Sequence, residues 1–218
     1  MNNDNATARH ITRRTPLAGC LTALGMAFAI TLPQAAQAQT VTPPPVPDNI
    51  RVPAGNEAFL VGRAVGTQNY VCQPASSLGR VAWTLFTPQA TLLSDQGEQV
   101  TTHFFSPNPF EFSASPFANG IVRATWQDSR DTSTFWGKAI ASATVRPDAI
   151  ASVLLQRAGV KPGPTGGTTL AVATFVQRLN TFGGLAPATG CDIPTDVGHK
   201  AFVPYTADYL FYRAGTSN

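Results

Sequence analysis

TFVQRLNTFGGLAPATGC (Thr174–Cys191) and YTADYLFY (Tyr205–Tyr212) decide the fold. The second stretch alternates with a period of two, the repeat of a β-strand. Tyr205, Ala207, Tyr209 and Phe211 then share one face, expected to be core, and Thr206, Asp208, Leu210 and Tyr212 share the other. The first stretch grows out of Leu170–Leu179 (LAVATFVQRL), β-branched and apolar enough for a buried strand. It ends in the Gly183-Gly184 turn and Cys191.

Working outward, the upstream chain reads as strands able to pack against these two. Glu57–Val65 and Thr67–Cys72 are short β-type runs separated by Gly66. Arg80–Phe86 places Val81, Trp83 and Leu85 on one face and is expected to stop at Pro88. Gln89–Leu93 and Glu98–Phe105 flank Asp95-Gln96-Gly97, a tight-turn sequence that predicts a hairpin. Ser106–Asn119, with three prolines, reads as a loop, and Ile121–Trp126 and Thr134–Val145 resume the strand pattern. Short strands spaced by turn residues predict a single all-β domain, an antiparallel sandwich or barrel with long loops and at most a short helix. Asp148–Ala158 is ambiguous: Pro147 before it, Gly159 after it and Ile150, Val153 and Leu154 on one helical face are helix signals.

The N-terminus is of another kind. Arg9, His10, Arg13 and Arg14 precede an apolar run of about fourteen residues, Leu17–Ile30, too short for the ~20 that span a bilayer. Ala36-Gln37-Ala38 then supplies the small residues of a signal-peptidase site, so residues 1–38 read as a secretory leader cleaved after Ala38. Leu17-Ala18-Gly19-Cys20 has the letters of a lipoprotein box, but the apolar run follows the cysteine instead of preceding it. Thr12-Arg13-Arg14 loosely resembles a twin-arginine signal, with Pro16 where an apolar residue is expected. Either export route delivers a periplasmic or extracellular protein with no membrane span in the mature chain. Residues 39–47, rich in proline, read as an extended spacer with nothing to pack, residues 48–213 as the domain, and 214–218 as a tail.

Removing Arg9, Arg13, Arg14 and Asp4 from fifteen basic and twelve acidic residues leaves a net charge of +1. A chain so near neutrality lacks the basic stripe that releases counterions from nucleic acid, and no nucleic-acid partner is expected. Cys72 and Cys191 remain after cleavage, and two cysteines in an oxidising compartment predict one disulfide. Closing that loop would be worth roughly 4–5 kcal/mol in the chain-entropy account. Two free buried thiols are the alternative. No C-x-x-C pair is present and histidines are few, so no metal is expected.

Val176-Gln-Arg-Leu-Asn-Thr-Phe-Gly-Gly-Leu-Ala-Pro187, Cys191 and Tyr205–Tyr212 resemble an uncharacterised secreted family, domain of unknown function 3455. Val46-Pro47, Val52-Pro53-Ala54-Gly55, Gln68–Cys72, Trp83 and His103-Phe104 resemble its N-terminal signatures in the same order. The resemblance implies a β-rich exported fold, supports the cysteine pair and implies no activity. It also implies a strand at 148–158, where relatives tend to carry proline, and we read that segment as strand. In Asp131-Thr132-Ser133, threonine stands where the family has the glycine of a D-G-S turn, and the Ser106–Asn119 loop is longer than usual.

For chemistry, Asp208 and Arg178 each sit in an otherwise apolar strand, and a buried lone charge costs several kcal/mol. A buried Arg178–Asp208 ion pair is the expected resolution. The functional alternative gathers them with Asn180, Tyr205 and His103 in a ligand pocket. His103, beside Phe104 and Phe105, is either a hydrogen-bonded structural residue or a general base paired with Asp128, Asp131 or Asp208. No G-x-S-x-G elbow is present, and the sequence does not place two of Asp128, Asp131 and Glu111 at a glycosidase separation. Carboxylates around His103 and His199 would make only a weak metal site. No G-x-G-x-x-G opens a helix after a strand, so no dinucleotide is expected, nor any other cofactor. Of Trp83, Trp126 and Trp136 at least one should be core, while Trp126 beside Gln127-Asp128 is a candidate for a sugar- or aromatic-binding face.

Three functional classes follow. The leading one is an exported domain binding a ligand or cell-envelope component through a polar-aromatic cleft near His103, Trp126 and Arg178. The others are a hydrolase using His103 with an aspartate, and a purely structural surface protein. Export with cleavage after Ala38 is checked by N-terminal sequencing of the secreted form, which should begin at Gln39; a start at an acylated Cys20 would contradict it.

Overall fold

Every strand pairs antiparallel with the one that follows it in the chain, and the last returns to the first, so the sheet closes into a barrel. The computed structural model describes residues 41–76, 79–114 and 119–215; the expected leader and cleavage site and the last three residues of the expected tail lie outside them. The strands are β1 (Asn56–Pro74), β2 (Val81–Leu93), β3 (Gln99–Asn108), β4 (Ile121–Asp128), β5 (Thr134–Ala143), β6 (Ser152–Lys161), β7 (Ala173–Gly183) and β8 (Lys200–Ala214). Two 3-10 turns, Asp48–Ile50 and Pro194–Asp196, are the only helical segments among the described residues.

β1 is long because nineteen residues serve two ladders, one to β2 and one to β8. Gly66 does not divide it. A Cβ there would lie 2.1 Å from the Gln89 carbonyl oxygen and 2.6 Å from Ala90 Cα, so the glycine lets β1 and β2 close up. Pro88 likewise does not end β2. The β2–β3 ladder runs only to Ala90↔His103, so proline interrupts no pairing on that side. Beyond that point the Phe105 amide bonds the Thr87 hydroxyl at 3.0 Å instead of a main-chain carbonyl. The ambiguous segment is a strand from Ser152 onward, where Val153, Leu154 and Leu155 pair with β5 on one side and β7 on the other, while residues 148–151 belong to the connection before it.

Period-two alternation sorts the side chains. Tyr205, Ala207, Tyr209 and Phe211 point into the barrel with Trp126, Phe135, Leu92 and Val176. The opposite face of β8 is also partly buried, which the alternation alone did not indicate. Leu210 and Tyr212, with Leu154, Phe175 and Leu179, form an outer apolar surface covered by the N-terminal arm through Val41, Val46, Ile50 and Val52. Residues 41–47 are therefore not a spacer with nothing to pack. Extended proline-rich backbone lays its valines on the sheet, and a buried relay fixes it: the Tyr212 hydroxyl donates to Gln177 Oε1 and Gln177 Nε2 to the Ile50 carbonyl, both at 2.6 Å. Each such bond is worth about 1 kcal/mol, and breaking one strands its buried partner at greater cost.

The meander puts four connections, 75–80, 109–120, 144–151 and 184–199, at one rim, here called upper. Cys72 near the end of β1 and Cys191 in the last of these form a disulfide with Cα atoms 5.4 Å apart and a sequence separation of 119. At the lower rim the β4–β5 turn keeps the left-handed conformation of a D-G-S turn, with Thr132 at φ 59°, a backbone state that costs a non-glycine residue roughly 1–2 kcal/mol. Asp131 compensates by accepting from the Ser133 amide and hydroxyl and from the Thr169 amide, at 2.6–2.9 Å. Replacing both disulfide cysteines with serine should lower unfolding free energy by about 2–5 kcal/mol in denaturant titrations, while far-ultraviolet circular dichroism keeps its β signature.

Candidate functional site

Register decides which side chains meet inside the barrel. His103 pairs with Trp126 and Ala90, Arg178 with Tyr209 and Val153, and Tyr205 with Gly66, all facing the lumen. Gln68 and Tyr70 continue that face along β1. His103, Trp126, Arg178 and Tyr205, expected to share a pocket, thus share one lumen, joined by Gln68, Tyr70 and Tyr209.

The expected Arg178–Asp208 pair does not form. Asp208 lies opposite Leu179, one residue out of phase with Arg178, so the two project to opposite faces of the wall. Asp208 instead takes Arg63 Nη1 at 2.9 Å and Asn180 Nδ2 at 2.7 Å on the outside. Asn180 is therefore an exposed outer residue, at φ 49°, and leaves the candidate pocket. Arg178 gives Nε and Nη2 to the Ala151 carbonyl at 3.1 and 2.9 Å. Three arginines are half-buried among the described residues. Arg123 pairs with Glu111 and Arg213 with Glu57, whereas Arg178 has no carboxylate among those residues.

His103 is buried, at 4 % exposure, and its ring lies flat on Trp126, centroids 4.1 Å apart at 6°. Nδ1 is 2.8 Å from the Thr125 carbonyl oxygen, so Nδ1 carries the proton and donates, and Nε2 is left as an acceptor. Burial pushes the imidazole down to about 3; the Thr125 bond opposes the shift and the Arg178 charge adds to it. The ring is neutral at physiological pH. Burial raises the Tyr70 and Tyr205 phenols, with Arg178 opposing the rise in both and the neighbouring Tyr209 adding to it for Tyr205. The Tyr205 and Tyr209 hydroxyls are 3.3 Å apart. Trp126 is fully buried and presents no external sugar-binding face.

The carboxylates named as partners for His103 have other work. Asp128 accepts from the Arg130 and Asp131 amides at 2.9 and 3.0 Å, with Arg130 Nη2 3.5 Å from its second oxygen. In Asp131, burial raises the carboxyl, but the bonds from Ser133 and Thr169 outweigh it and hold it well below the usual range. Glu111 is held down to about 2, chiefly by the Arg123 guanidinium. None of them touches His103, whose ring partner is a backbone carbonyl.

The upper lumen has two halves. Over β7, β8 and β1, the Gly183–Cys191 segment closes down: the Tyr70 hydroxyl donates to the Gly184 carbonyl at 2.6 Å, and Trp83 Nε1 to the Thr189 carbonyl at 3.2 Å. Gly184, at φ 78°, leaves no room for a side chain, since a Cβ would meet Tyr205 at 2.9 Å and Gln68 at 3.1 Å. Over β2 to β6 the lumen-facing Leu85, Phe105, Ala124, Ala139 and Val153 all keep solvent exposure. On the outer face of the wall, where β2 and β3 part, a separate depression of about 750 Å³ is lined chiefly by Val65, Thr67, Gln89, Thr91, Thr102 and Phe104. A cleft of equal volume at the lower rim has two of its arginines paired, Arg213 to Glu57 at 2.8 Å and Arg63 to Asp95 at 2.9 Å. The upper lumen keeps an uncompensated cation and is the better candidate site.

Sequence reading missed Gln68, Tyr70, Ala151 and Gly184. Gln68-Asn69-Tyr70 leads into Cys72, and that adjacency to the disulfide was the available signal. Ala151 contributes only a carbonyl, which no side-chain motif reveals.

A closed antiparallel barrel with a polar-aromatic lumen defines the class of protein. The chain belongs to a family of proteins of unknown function, DUF3455, whose model matches residues 53–213. No curated protein and no solved structure matches it.

A pH prediction follows from the His103 environment. Its ordinary value of 6.5 lies above the folded value of about 3, so the unfolded chain takes up the proton first as pH falls. The stabilisation from keeping the ring neutral is complete above pH 6.5 and is lost on acidification toward 3. Glu111 acts only below its ordinary 4.5. Urea titrations should therefore show the wild type losing stability between pH 6.5 and 4.5, at up to about 1.4 kcal/mol per pH unit. His103→Phe, which keeps a ring against Trp126, should be nearly flat there.

Proposed function

We propose that this protein is an exported binding barrel that takes a small ligand, free or part of the cell envelope, into its upper lumen, with His103, Arg178, Tyr70 and Tyr205 as the polar contacts. The basic-apolar-small leader and the disulfide support export. An eight-stranded barrel has room either to fill itself with side chains or to hold one small ligand. The observation that carries the binding reading is Arg178: a half-buried guanidinium without a counter-ion among the described residues, in a lumen whose β2-to-β6 side keeps partly exposed apolar residues.

Hydrolysis with His103 as general base finds less support. Burial, which pushes the imidazole down to about 3, makes it a weak base, and its Nδ1 is oriented by a carbonyl that cannot stabilise an imidazolium as a carboxylate would. A purely structural role would leave the unpaired cation unexplained.

The test is a thermal-shift screen of neutral, anionic and cationic small molecules, followed by mapping of hits by NMR. Hits should perturb the His103 ring and Tyr205 signals. Hits mapping to the lower-rim cleft, or ester or glycoside turnover that His103→Gln abolishes, would overturn this reading.

A further inference from the structure

Resting on that reading, we infer that the ligand is an organic monocarboxylate with a flat apolar body, its carboxylate seated against Arg178. Three observations converge on this class.

The first is charge. Arg178 is spent on Ala151 only through Nε and Nη2, leaving Nη1 outside those bonds. The titratable groups that feel the Arg178 charge bring no second cation to it, because the buried His103 ring is held neutral and the raised phenols of Tyr70 and Tyr205 carry no charge at physiological pH. One positive charge in a partly desolvated site is matched by one negative charge. A dianion such as a phosphate monoester would leave a surplus charge to be buried.

The second is a donor without an acceptor. Gln68 Nε2 is buried, in a side chain 1 % exposed, and makes no hydrogen bond of ordinary geometry among the described residues, although its amide lies near enough to the Tyr205 hydroxyl to oppose the rise of that phenol. It lies on the lumen face of β1, against the same Gly184 that touches Tyr205. A buried amide left unpaired costs about 1–3 kcal/mol, and an arriving oxygen removes that cost. A carboxylate offers two oxygens, one for the guanidinium and one for a neutral donor such as this amide.

The third is the partition of the lumen. Beside the polar groups lie Leu85, next to Tyr70, and Val153, next to Arg178, and further round the wall Phe105 and Ala124, all apolar and still partly exposed. A ligand with its charge at one end and an apolar body at the other matches both halves. Of the lumen rings, His103, Trp126 and Tyr209 are buried against one another, and the Phe105 ring keeps a partly exposed face that favours a planar body.

Calorimetry on the mature chain with cinnamate, its neutral isostere cinnamamide, decanoate and phenyl phosphate tests this. Cinnamate should bind roughly ten- to a hundredfold tighter than cinnamamide, the range of a charge-assisted hydrogen bond, and tighter than decanoate or phenyl phosphate. Arg178→Gln should bring the cinnamate-to-cinnamamide ratio to about one, and Arg178→Lys should retain part of the preference. Equal binding of acid and amide by the wild type, a preference surviving Arg178→Gln, or a preference for the phosphate would overturn the inference. Neutral compounds that perturb His103 while no carboxylate binds would sink it yet leave the binding barrel standing. No binding by any class would remove both. The wild-type comparison decides even if Arg178→Gln does not fold.

Discussion

The return of β8 to β1 gives this chain an inside. An open meander of eight strands would present two faces to be covered and two edges to be protected. Closing it turns one face into a lumen and removes the edges. From Ala58 to Val71, β1 follows β8 with a single shift in register, and Gly66 allows the tight approach to β2 on its other side. Every statement about which side chains meet in the lumen depends on that closure. A slip of one residue between β7 and β8 would send Arg178 to the outside and bring Asp208 in.

The outer wall is organised by a different economy. β6, β7 and β8 are apolar on both faces, as strands buried on both sides must be, and the arm of residues 41–52 makes the second burial possible. Gln177 is a buried polar residue on that outer face, and it holds the arm by its main chain at Ile50 instead of by side-chain fit. The outer wall under the arm is thus mainly apolar, with the Asp208–Arg63–Asn180 cluster beside it.

Much of the architecture was legible because alternation is a local signal. The lumen face of Tyr205–Phe211, the strand over most of 148–158 and the Cys72–Cys191 link all follow from residue pattern, resemblance or cysteine number. What sequence could not supply was phase between strands. Arg178 and Asp208 were paired by charge alone, and opposite charge says nothing about which side of a wall each projects to. Gly66 and Pro88 were read as breaks because their usual cost is intrinsic, whereas close strand approach and an interrupted ladder are tertiary facts. The proline-rich arm was taken for a spacer for a similar reason: polyproline II makes no ladder of its own, and only the apolar outer patch made by Leu210 and Tyr212 gives it something to lie on. Within the site, His103, Trp126, Arg178 and Tyr205 were nameable by residue type. Gln68 and the Ala151 carbonyl were not, since a buried amide and a backbone oxygen acquire meaning only from their neighbours.

Both ends of the described chain leave the barrel at the lower rim, where the Gly215 amide bonds the Gly55 carbonyl at 2.8 Å and Val41 borders the same cleft as Arg213. The lumen opens at the far rim. A copy tethered to a surface by either terminus would therefore hold its mouth toward the surrounding medium, able to load and unload without being released.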